Sequence, residues 1–198
     1  MLERIVCLFV GYLFGTLLTA EAVANALEGT SIFELGDGNP GMANVGQTLG
    51  KSAAAACLAG DILKTLAAMT LSHALFPSLG AATIAWAGLG ATLGHVFPFW
   101  HEFKGGKGVV TIIVTFILLN PIWGVISAVL GLLSIFATGY LSIAAVIIVA
   151  CYLVAMLLQG SFELALLSLF FLGITLYCHG SKLRGISDGT TKKVKLFK

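Results

Sequence analysis

The chain has 198 residues, of which 58% are hydrophobic and 10% are charged, and its mean hydropathy is +1.00. Soluble domains carry about 25% charged residues, so this composition predicts an all-α integral membrane protein and excludes a separate soluble catalytic domain. The apolar runs also lack the alternation of polar and apolar side chains that a transmembrane β-barrel requires.

Glycine, proline and polar residues divide the apolar sequence into seven predicted transmembrane helices. We expect the first three at about residues 5–27, 52–73 and 78–96. Four more follow between residues 109 and 178, and the sequence divides them at Asn120-Pro121, at residues 138–140 and at residues 159–161. The fourth helix, at about residues 109–119, is the shortest.

The first apolar segment also has features of a secretory signal peptide. Its Ala20-Glu21-Ala22 sequence resembles a cleavage site. A leader needs a positive segment ahead of the apolar run, and here Glu3 cancels the charge of Arg4. We therefore expect this segment to be a retained helix.

The distribution of charge predicts the orientation in the membrane. Residues 181–198 form a basic tail, which the positive-inside rule places in the cytoplasm. An odd number of spans then puts the N-terminus outside, and two polar segments fall on the cytoplasmic side: the first island (residues 28–51) and the second island (residues 97–108). We interpret residues 1–198 as a single polytopic membrane domain with every polar island on one face.

The first island contains a glycine-rich turn around Asn39-Pro40. Glycines beside an Asn-Pro pair favour tight turns, and the backbone N–H groups of such turns can form an anion-binding concavity. A plain connecting loop is the alternative.

The second island places lysines among glycines directly before a predicted helix. Lys104 and Lys107 alternate with Gly105, Gly106 and Gly108 in what we call the glycine-lysine loop (residues 104–108). Ammonium groups, N–H donors and a positive helix end all favour phosphate. The spacing does not match a Walker A loop. The alternative is a basic loop that contacts anionic lipid.

Two groups of ionisable residues outside the glycine-lysine loop each have a functional and a structural interpretation. His95 and His101 could act as general bases or as polar anchors at the interface. Asp61 and Lys64 lie three residues apart on one face of the second span, where ionisable groups are costly and are functional or paired. An internal ion pair that joins two helices is the structural alternative. The four cysteines lack metal-ligand spacing, so no metal site is expected.

The motifs occur in a specific order along the chain: Gly-x-Gly-Asn-Pro-Gly-x-x-Asn-Val, then Asp-x-x-Lys, then Gly-His-x-Phe-Pro with Phe-Lys-Gly-Gly-Lys-Gly. This series resembles the bacterial acyl-phosphate-dependent glycerol-3-phosphate acyltransferase family. The resemblance implies a seven-helix protein of the bacterial cytoplasmic membrane with a cytoplasmic active site. It implies transfer of a fatty acyl group from acyl phosphate to the 1-hydroxyl of glycerol 3-phosphate, which gives lysophosphatidate for phospholipid synthesis. Membrane lipids are expected partners, whereas nucleic acid, a metal and other cofactors are not.

The resemblance also implies roles for individual residues. No covalent nucleophile is needed, because acyl phosphate is already activated, and His95 and His179 are candidates for orienting substrates or handling a proton. The expected substrate-binding residues are Asp37, Gly38, Asn39, Gly41, Asn44, Lys104, Gly105, Gly106, Lys107 and Lys182.

Thr16-Leu17-Leu18 replaces the family's Ser-Ile-Pro in the first helix, and five further departures leave two alternatives open. Asp37 replaces Ser, Gln47 replaces Arg, Lys182 replaces Asn, Gly185 replaces Arg and Thr191 replaces Glu. Because these changes cluster where an acceptor phosphate would bind, one alternative is a paralogue that uses the same donor with a neutral or cationic acceptor. The second alternative is a small transporter or scaffold in which the intramembrane ionisable pair marks a pathway.

Overall fold

The computed structural model describes residues 1–193, which form α-helices joined by short turns and contain no strand. The predicted tail extends beyond this range, so Lys195 and Lys198 lie outside the described residues. Three short 3-10 helices occupy Ile32–Glu34, Pro77–Leu79 and Phe99–His101. The α-helices are α1 (Leu2–Gly15), α2 (Thr19–Glu28), α3 (Met42–Thr48), α4 (Lys51–Leu75), α5 (Ala81–Val96), α6 (Val109–Leu119), α7 (Pro121–Thr138), α8 (Leu141–Leu158) and α9 (Phe162–Ser187).

Length and apolar composition mark candidate membrane-spanning segments. Among residues 1–193, five segments are long and apolar enough to cross a bilayer: Leu2–Glu28, Lys51–Leu75, Pro121–Thr138, Leu141–Leu158 and Phe162–Ser187. Large apolar side chains are exposed along them, including Phe9, Leu13, Leu63, Leu71, Leu133, Phe136, Leu157, Leu166, Leu169 and Phe170. Helices that are apolar on their outer faces suit lipid rather than water. The prediction of a multi-pass, all-helical membrane protein is confirmed.

The predicted divisions in the second half of the chain coincide with helix ends. Asn120 caps α7, and its side-chain oxygen accepts a hydrogen bond from the Trp123 N–H at 3.4 Å. Gly139 ends α7 in the left-handed conformation, with φ of 81°. The chain divides into two compact units, Met1–Val114 and Thr115–Lys198.

The first predicted span is interrupted. It forms α1 and α2, and residues 16–18 between them leave the helical path because Leu18 is extended. Carbonyl groups freed by such a break need new partners, since lipid offers none. The Trp100 indole N–H donates to the Thr16 oxygen at 2.8 Å, and the Lys64 ammonium donates to the Leu17 oxygen at 2.8 Å.

Helices α1 and α5 pack together through glycines. A methyl group added to Gly11 or Gly15 would overlap the backbone of α5, and one added to Gly90 or Gly94 would overlap the backbone of α1. Both helices therefore present small residues at four-residue spacing, which allows membrane helices to approach closely. This contact fixes the first unit, and it orients the C-terminal end of α5 beside the break after α1.

The second unit has an aromatic core. The rings of Phe116 and Tyr152 stack with centroids 3.8 Å apart, and Phe171 meets Phe116 edge-on at 5.3 Å. Helix α9 continues to Ser187, so the predicted tail begins as helix and not as an extended segment. After α9 the chain turns back, and the Lys193 ammonium lies 5.7 Å from the centroid of the Tyr140 ring.

The glycine contact between α1 and α5 can be tested with a matched pair of substitutions. We expect Gly11→Ala to destabilise the protein by about 1–3 kcal/mol, because the new methyl group forces two backbones apart. Gly173→Ala in α9 is the control, since a methyl group there meets no neighbour and alanine favours the helix by about 0.5–1 kcal/mol. Thermal unfolding in detergent measures both. Equal stability of the two variants would contradict the packing.

Candidate functional site

The first island is a folded element of the first unit. Its 3-10 helix and α3 pack on α2 and α4, and Ile32 and Val45 are fully buried there. The Glu21 carboxylate accepts hydrogen bonds from the Ile32 N–H and the Ser31 hydroxyl, both at 2.9 Å. The structure therefore excludes an unstructured connecting loop in this position.

Asn44 fixes the glycine-rich turn of this island. Its buried amide accepts from the Asp37 N–H at 3.1 Å and donates to the Leu35 oxygen at 2.9 Å. The Asp37 carboxylate accepts from the Asn39 N–H at 3.2 Å, and Gly38 adopts a φ of 69°. The amide of Asn44 thus holds the turn, whereas Asp37 lies on its exposed surface and Asn39 is half-buried.

The second island contains a strained turn directly before the glycine-lysine loop. Glu102 and Phe103 have φ values of 49° and 57°, a conformation that costs non-glycine residues about 1–3 kcal/mol each. Backbone hydrogen bonds offset this cost: the Phe103 N–H donates to Pro98 at 3.1 Å and the Lys104 N–H donates to His101 at 2.8 Å. The turn projects Lys104 away from the helices.

Lys104 is paired but accessible. Its ammonium lies 2.7 Å from the Glu102 carboxylate, and the two side chains are 72% and 80% exposed. Their hydrogen bond and opposite charges lower the pKa of Glu102 below its ordinary value and raise the pKa of Lys104. Both groups are therefore charged near neutral pH.

The glycines of the glycine-lysine loop allow it to pack against the last turn of α5. A methyl group on Gly105 would overlap the His95 carbonyl, one on Gly106 would overlap the His95 ring, and one on Gly108 would press on Thr92. The Gly106 N–H donates to the His95 oxygen at 3.0 Å. The sequence predicts that these glycines offer N–H donors to an anion, but the Gly106 N–H is already hydrogen-bonded within the protein. Lys107 lies between these contacts and is half-buried.

Asp61, Lys64 and His95 form one buried cluster. The Lys64 ammonium lies 2.7 Å from the Asp61 carboxylate and 2.8 Å from the His95 Nδ1 atom. His95 Nδ1 lies 3.7 Å from the Asp61 carboxylate, and the Thr19 hydroxyl donates a hydrogen bond to that carboxylate at 3.2 Å. The predicted intramembrane pair and the predicted histidine thus act as a single unit.

Aromatic side chains join the two islands. The rings of Phe33 and His101 stack with centroids 3.6 Å apart and planes inclined by 10°. The Tyr12 hydroxyl donates to the Phe97 oxygen at 2.8 Å, which attaches the second island to α1. The glycine-rich turn and the glycine-lysine loop therefore belong to one assembly within the first unit.

The remaining predicted residues lie in the second unit. His179 is buried in α9, and Lys182 is exposed nearly one turn later. Two departures from the family pattern contact each other: the Thr191 N–H donates to the Gly185 oxygen at 2.9 Å, and a side chain on Gly185 would press on the Thr191 hydroxyl.

Several contributors were absent from the sequence analysis. Thr19 donates to Asp61, Glu21 accepts from Ile32 in the first island, and Trp100 donates to the Thr16 oxygen at the helix break. Glu21 carried a signal, because a carboxylate in an apolar span requires a partner. Thr19 and Trp100 carried no such signal. Thr19 bonds to the Asp61 carboxylate, and Trp100 bonds to the main-chain oxygen of Thr16, which the helix break exposes.

A pocket opens beside the helix break. It has a volume of about 460 Å³, and its lining includes Leu17, Thr19, Glu21, Lys64 and Trp100. The pocket therefore adjoins the buried cluster and the base of the second island.

Comparison with known proteins gives consistent matches. Residues 5–189 match the family model described as glycerol-3-phosphate acyltransferase. The chain is 39% identical to the glycerol-3-phosphate acyltransferase of Bradyrhizobium sp. (strain BTAi1), with 96% of this chain and 94% of that one covered. It is 30% identical to that of Clostridioides difficile (strain 630), with 96% and 95% covered.

Two other similarities differ in extent. The match to glycerol-3-phosphate acyltransferase 1 of Lactobacillus acidophilus has 44% identity but spans about half of each protein, 54% of this chain and 52% of the relative. The crystal structure of PlsY (YgiH), an integral membrane glycerol 3-phosphate acyltransferase, in its glycerol 3-phosphate form has a TM-score of 0.84 at 23% identity, with 96% of this chain and 94% of that chain covered. The latter likeness shows that the fold is the same.

A double-mutant cycle tests the contact between the islands. We expect Phe33→Leu and His101→Leu to show a coupling of about 0.5–1.5 kcal/mol in unfolding free energy, because each substitution removes the same stacked pair. Combining Phe33→Leu with His73→Leu is the control, since His73 lies near the far end of α4. Additive effects of the first pair would contradict the stacking.

Proposed function

Because this chain belongs to the glycerol-3-phosphate acyltransferase family, we propose that it moves a fatty acyl group from acyl phosphate to the 1-hydroxyl of glycerol 3-phosphate. The observation that carries the proposal is the 39% identity to a relative of that name over nearly the full length of both chains. The product is lysophosphatidate, and the chain is a membrane acyltransferase of phospholipid synthesis.

The glycine-lysine loop supports a phosphate-binding role. Both proposed substrates carry phosphate, and Lys104 and Lys107 supply two cations within four residues. The Lys104–Glu102 pair is exposed, so it is weakly held and a phosphate dianion can replace the carboxylate. We therefore assign Lys104 and Lys107 to the substrate phosphates.

The proposed reaction needs no protein nucleophile. The 1-hydroxyl oxygen attacks the acyl carbonyl carbon, the bond from that carbon to the phosphate oxygen breaks, and inorganic phosphate leaves. The hydroxyl proton passes to a phosphate oxygen. Positioning of the two substrates and stabilisation of the departing phosphate by lysines supply the acceleration.

The turn at Asp37 supports glycerol 3-phosphate as the acceptor. The Asp37 carboxylate is engaged by the Asn39 N–H, a turn contact that a serine hydroxyl can also make. The departure from the family pattern thus preserves the turn. Asn39, with the backbone of Gly38 and Gly41, is assigned to the acceptor side, and His179 and Lys182 are assigned to orienting and binding substrate.

We further propose seven spans, formed by α1 with α2 and by α4 to α9. The N-terminus is outside, and the basic residues from Lys182 onward are in the cytoplasm. The contact between Lys193 and Tyr140 supports this arrangement, because it puts the tail on the same side as the turn between α7 and α8. The active site then faces the cytoplasm from the bacterial inner membrane.

Purified protein should form lysophosphatidate from long-chain acyl phosphate and glycerol 3-phosphate, and Lys104→Ala should lower kcat/KM by about 100-fold or more. Lys51→Ala is the matched control, because Lys51 is an exposed lysine of the first island that the proposal does not use. Mass spectrometry of the product measures turnover.

A panel of neutral and cationic acceptors completes this experiment. Turnover of another acceptor in place of glycerol 3-phosphate would identify the paralogue. Flux across proteoliposomes without any acylated product would identify a transporter and contradict the proposal.

The exposed ion pair between Lys104 and Glu102 predicts that removing the Glu102 charge increases the affinity for substrate. Glu102→Gln should lower KM for the substrate that Lys104 binds by about two- to fivefold, because the lysine no longer has a competing carboxylate. The effect should shrink at high salt, which screens exposed charges. An increase in KM would show that Glu102 itself contributes to binding.

A further inference from the structure

The Lys64 ammonium uses all of its hydrogen-bonding capacity inside the protein. It is 6% exposed, and three polar atoms surround it: the Leu17 oxygen at 2.8 Å, the Asp61 carboxylate at 2.7 Å and the His95 Nδ1 atom at 2.8 Å. An ammonium has three N–H donors and no acceptor. Lys64 is therefore saturated, and it is a structural partner and not a ligand-binding cation.

The third of these bonds determines the proton position on His95. The Leu17 oxygen and the Asp61 carboxylate can only accept, so the Lys64 ammonium directs two N–H groups to them and its third N–H group donates to Nδ1. An accepting Nδ1 carries no proton, so the single proton of the neutral ring is on Nε2. The charged groups that face the ring are Lys64 and Asp61, both from α4.

The protonated nitrogen faces the glycine-lysine loop. A methyl group on Gly106 would overlap His95 Nε2, so the loop backbone passes directly over this atom. The His95 carbonyl also accepts the Gly106 N–H at 3.0 Å. His95 thus holds the loop at its main chain and presents its imidazole edge to the same residue.

We propose that Lys64 is a positioning residue that fixes His95 as the Nε2–H tautomer, so that His95 serves the glycine-lysine loop as a hydrogen-bond donor and not as a general base. The proposal rests on the proposed function only in assigning a phosphate to that loop. An Nε2–H donor complements a phosphate oxygen, whereas a base at this position requires an unprotonated nitrogen.

Lys64 also couples this donor to the helix break. Its bond to the Leu17 oxygen replaces the helical hydrogen bond lost between α1 and α2, and the Thr19 hydroxyl donates to the Asp61 carboxylate. Gly60 leaves the space that Thr19 occupies, because a methyl group there would overlap the threonine side chain. The break, the ion pair and the imidazole are consequently fixed together.

NMR of protein labelled with 15N and 13C in histidine tests the tautomer without any enzymatic assay. The chain has four histidines, and His95→Gln identifies the His95 signal. We expect Nε2–H for His95 at neutral pH. His101 gives an internal contrast, because its Nδ1 donates to the Lys104 oxygen at 2.9 Å. An Nδ1–H tautomer at His95, with Lys64 accepting as a neutral amine, would overturn the proposal.

Lys64→Met should release the tautomer, and the ring should then populate both forms. Because this variant leaves Asp61 buried without its cation, the double variant Asp61→Asn with Lys64→Met keeps the measurement possible if the single variant fails to fold. An unchanged Nε2–H signal in the folded double variant would also overturn the proposal, since Lys64 would not then be its cause.

Kinetics separate a donor from a base. The amide nitrogen of glutamine reaches the position of Nε2, so His95→Gln should lower kcat/KM by less than His95→Asn does and should leave the shape of the pH profile unchanged. His95→Asn places its amide at the Nδ1 position and should lose about 100-fold in kcat/KM. His73→Gln is the control for replacing a histidine on a different helix, α4. Loss of an acidic limb in the profile of His95→Gln would establish a base. If the protein shows no acyl transfer at all, the tautomer result still stands, so failure of the proposed function is distinguishable.

Discussion

The close approach of α1 and α5 is the constraint on which the first unit depends. Four glycines remove the side chains that would separate two membrane helices, and the backbones then meet directly. Helix α5 ends at Val96, so this contact delivers the start of the second island to the break after α1. Once the helices are joined in this register, Tyr12 reaches the Phe97 carbonyl and Trp100 reaches the Thr16 carbonyl.

The break between α1 and α2 is stable because polar groups from two other elements satisfy it. A free carbonyl at membrane depth costs several kcal/mol, so the break requires its partners. Lys64 from α4 and Trp100 from the second island supply them. The residues that keep the backbone satisfied are the residues that connect the break to the buried cluster and to the glycine-lysine loop. The same hydrogen bonds therefore stabilise the helix break and fix the buried cluster and the second island beside it.

Features with a local cause were predictable from the sequence. Apolar runs gave the long helices, and Asn120 and Gly139 marked helix ends because capping and the left-handed turn depend on the residue itself. The break at residues 16–18 has no such mark, since it is set by partners 47 and 84 residues away. Asp61, Lys64 and His95 were each candidates for a functional or a structural role, but periodicity cannot show that Lys64 bonds to a histidine 31 residues later. The small residues at four-residue spacing in α1 and α5 are visible in the sequence, and this spacing indicates close helix packing.

The glycines of the glycine-lysine loop have a packing role that the motif alone did not indicate. Lysines among glycines suggest backbone donors around a phosphate, yet here three glycines provide contact with the last turn of α5, and the Gly106 donor is bonded to His95. Glycine is required because the loop passes over an imidazole ring and a carbonyl oxygen. Close packing on α5 fixes the main chain, and the strained turn at Glu102 and Phe103 then directs Lys104 outward. The positive charges of this loop are therefore carried by side chains on a backbone that is closely packed against α5, so the glycines determine where the lysines lie.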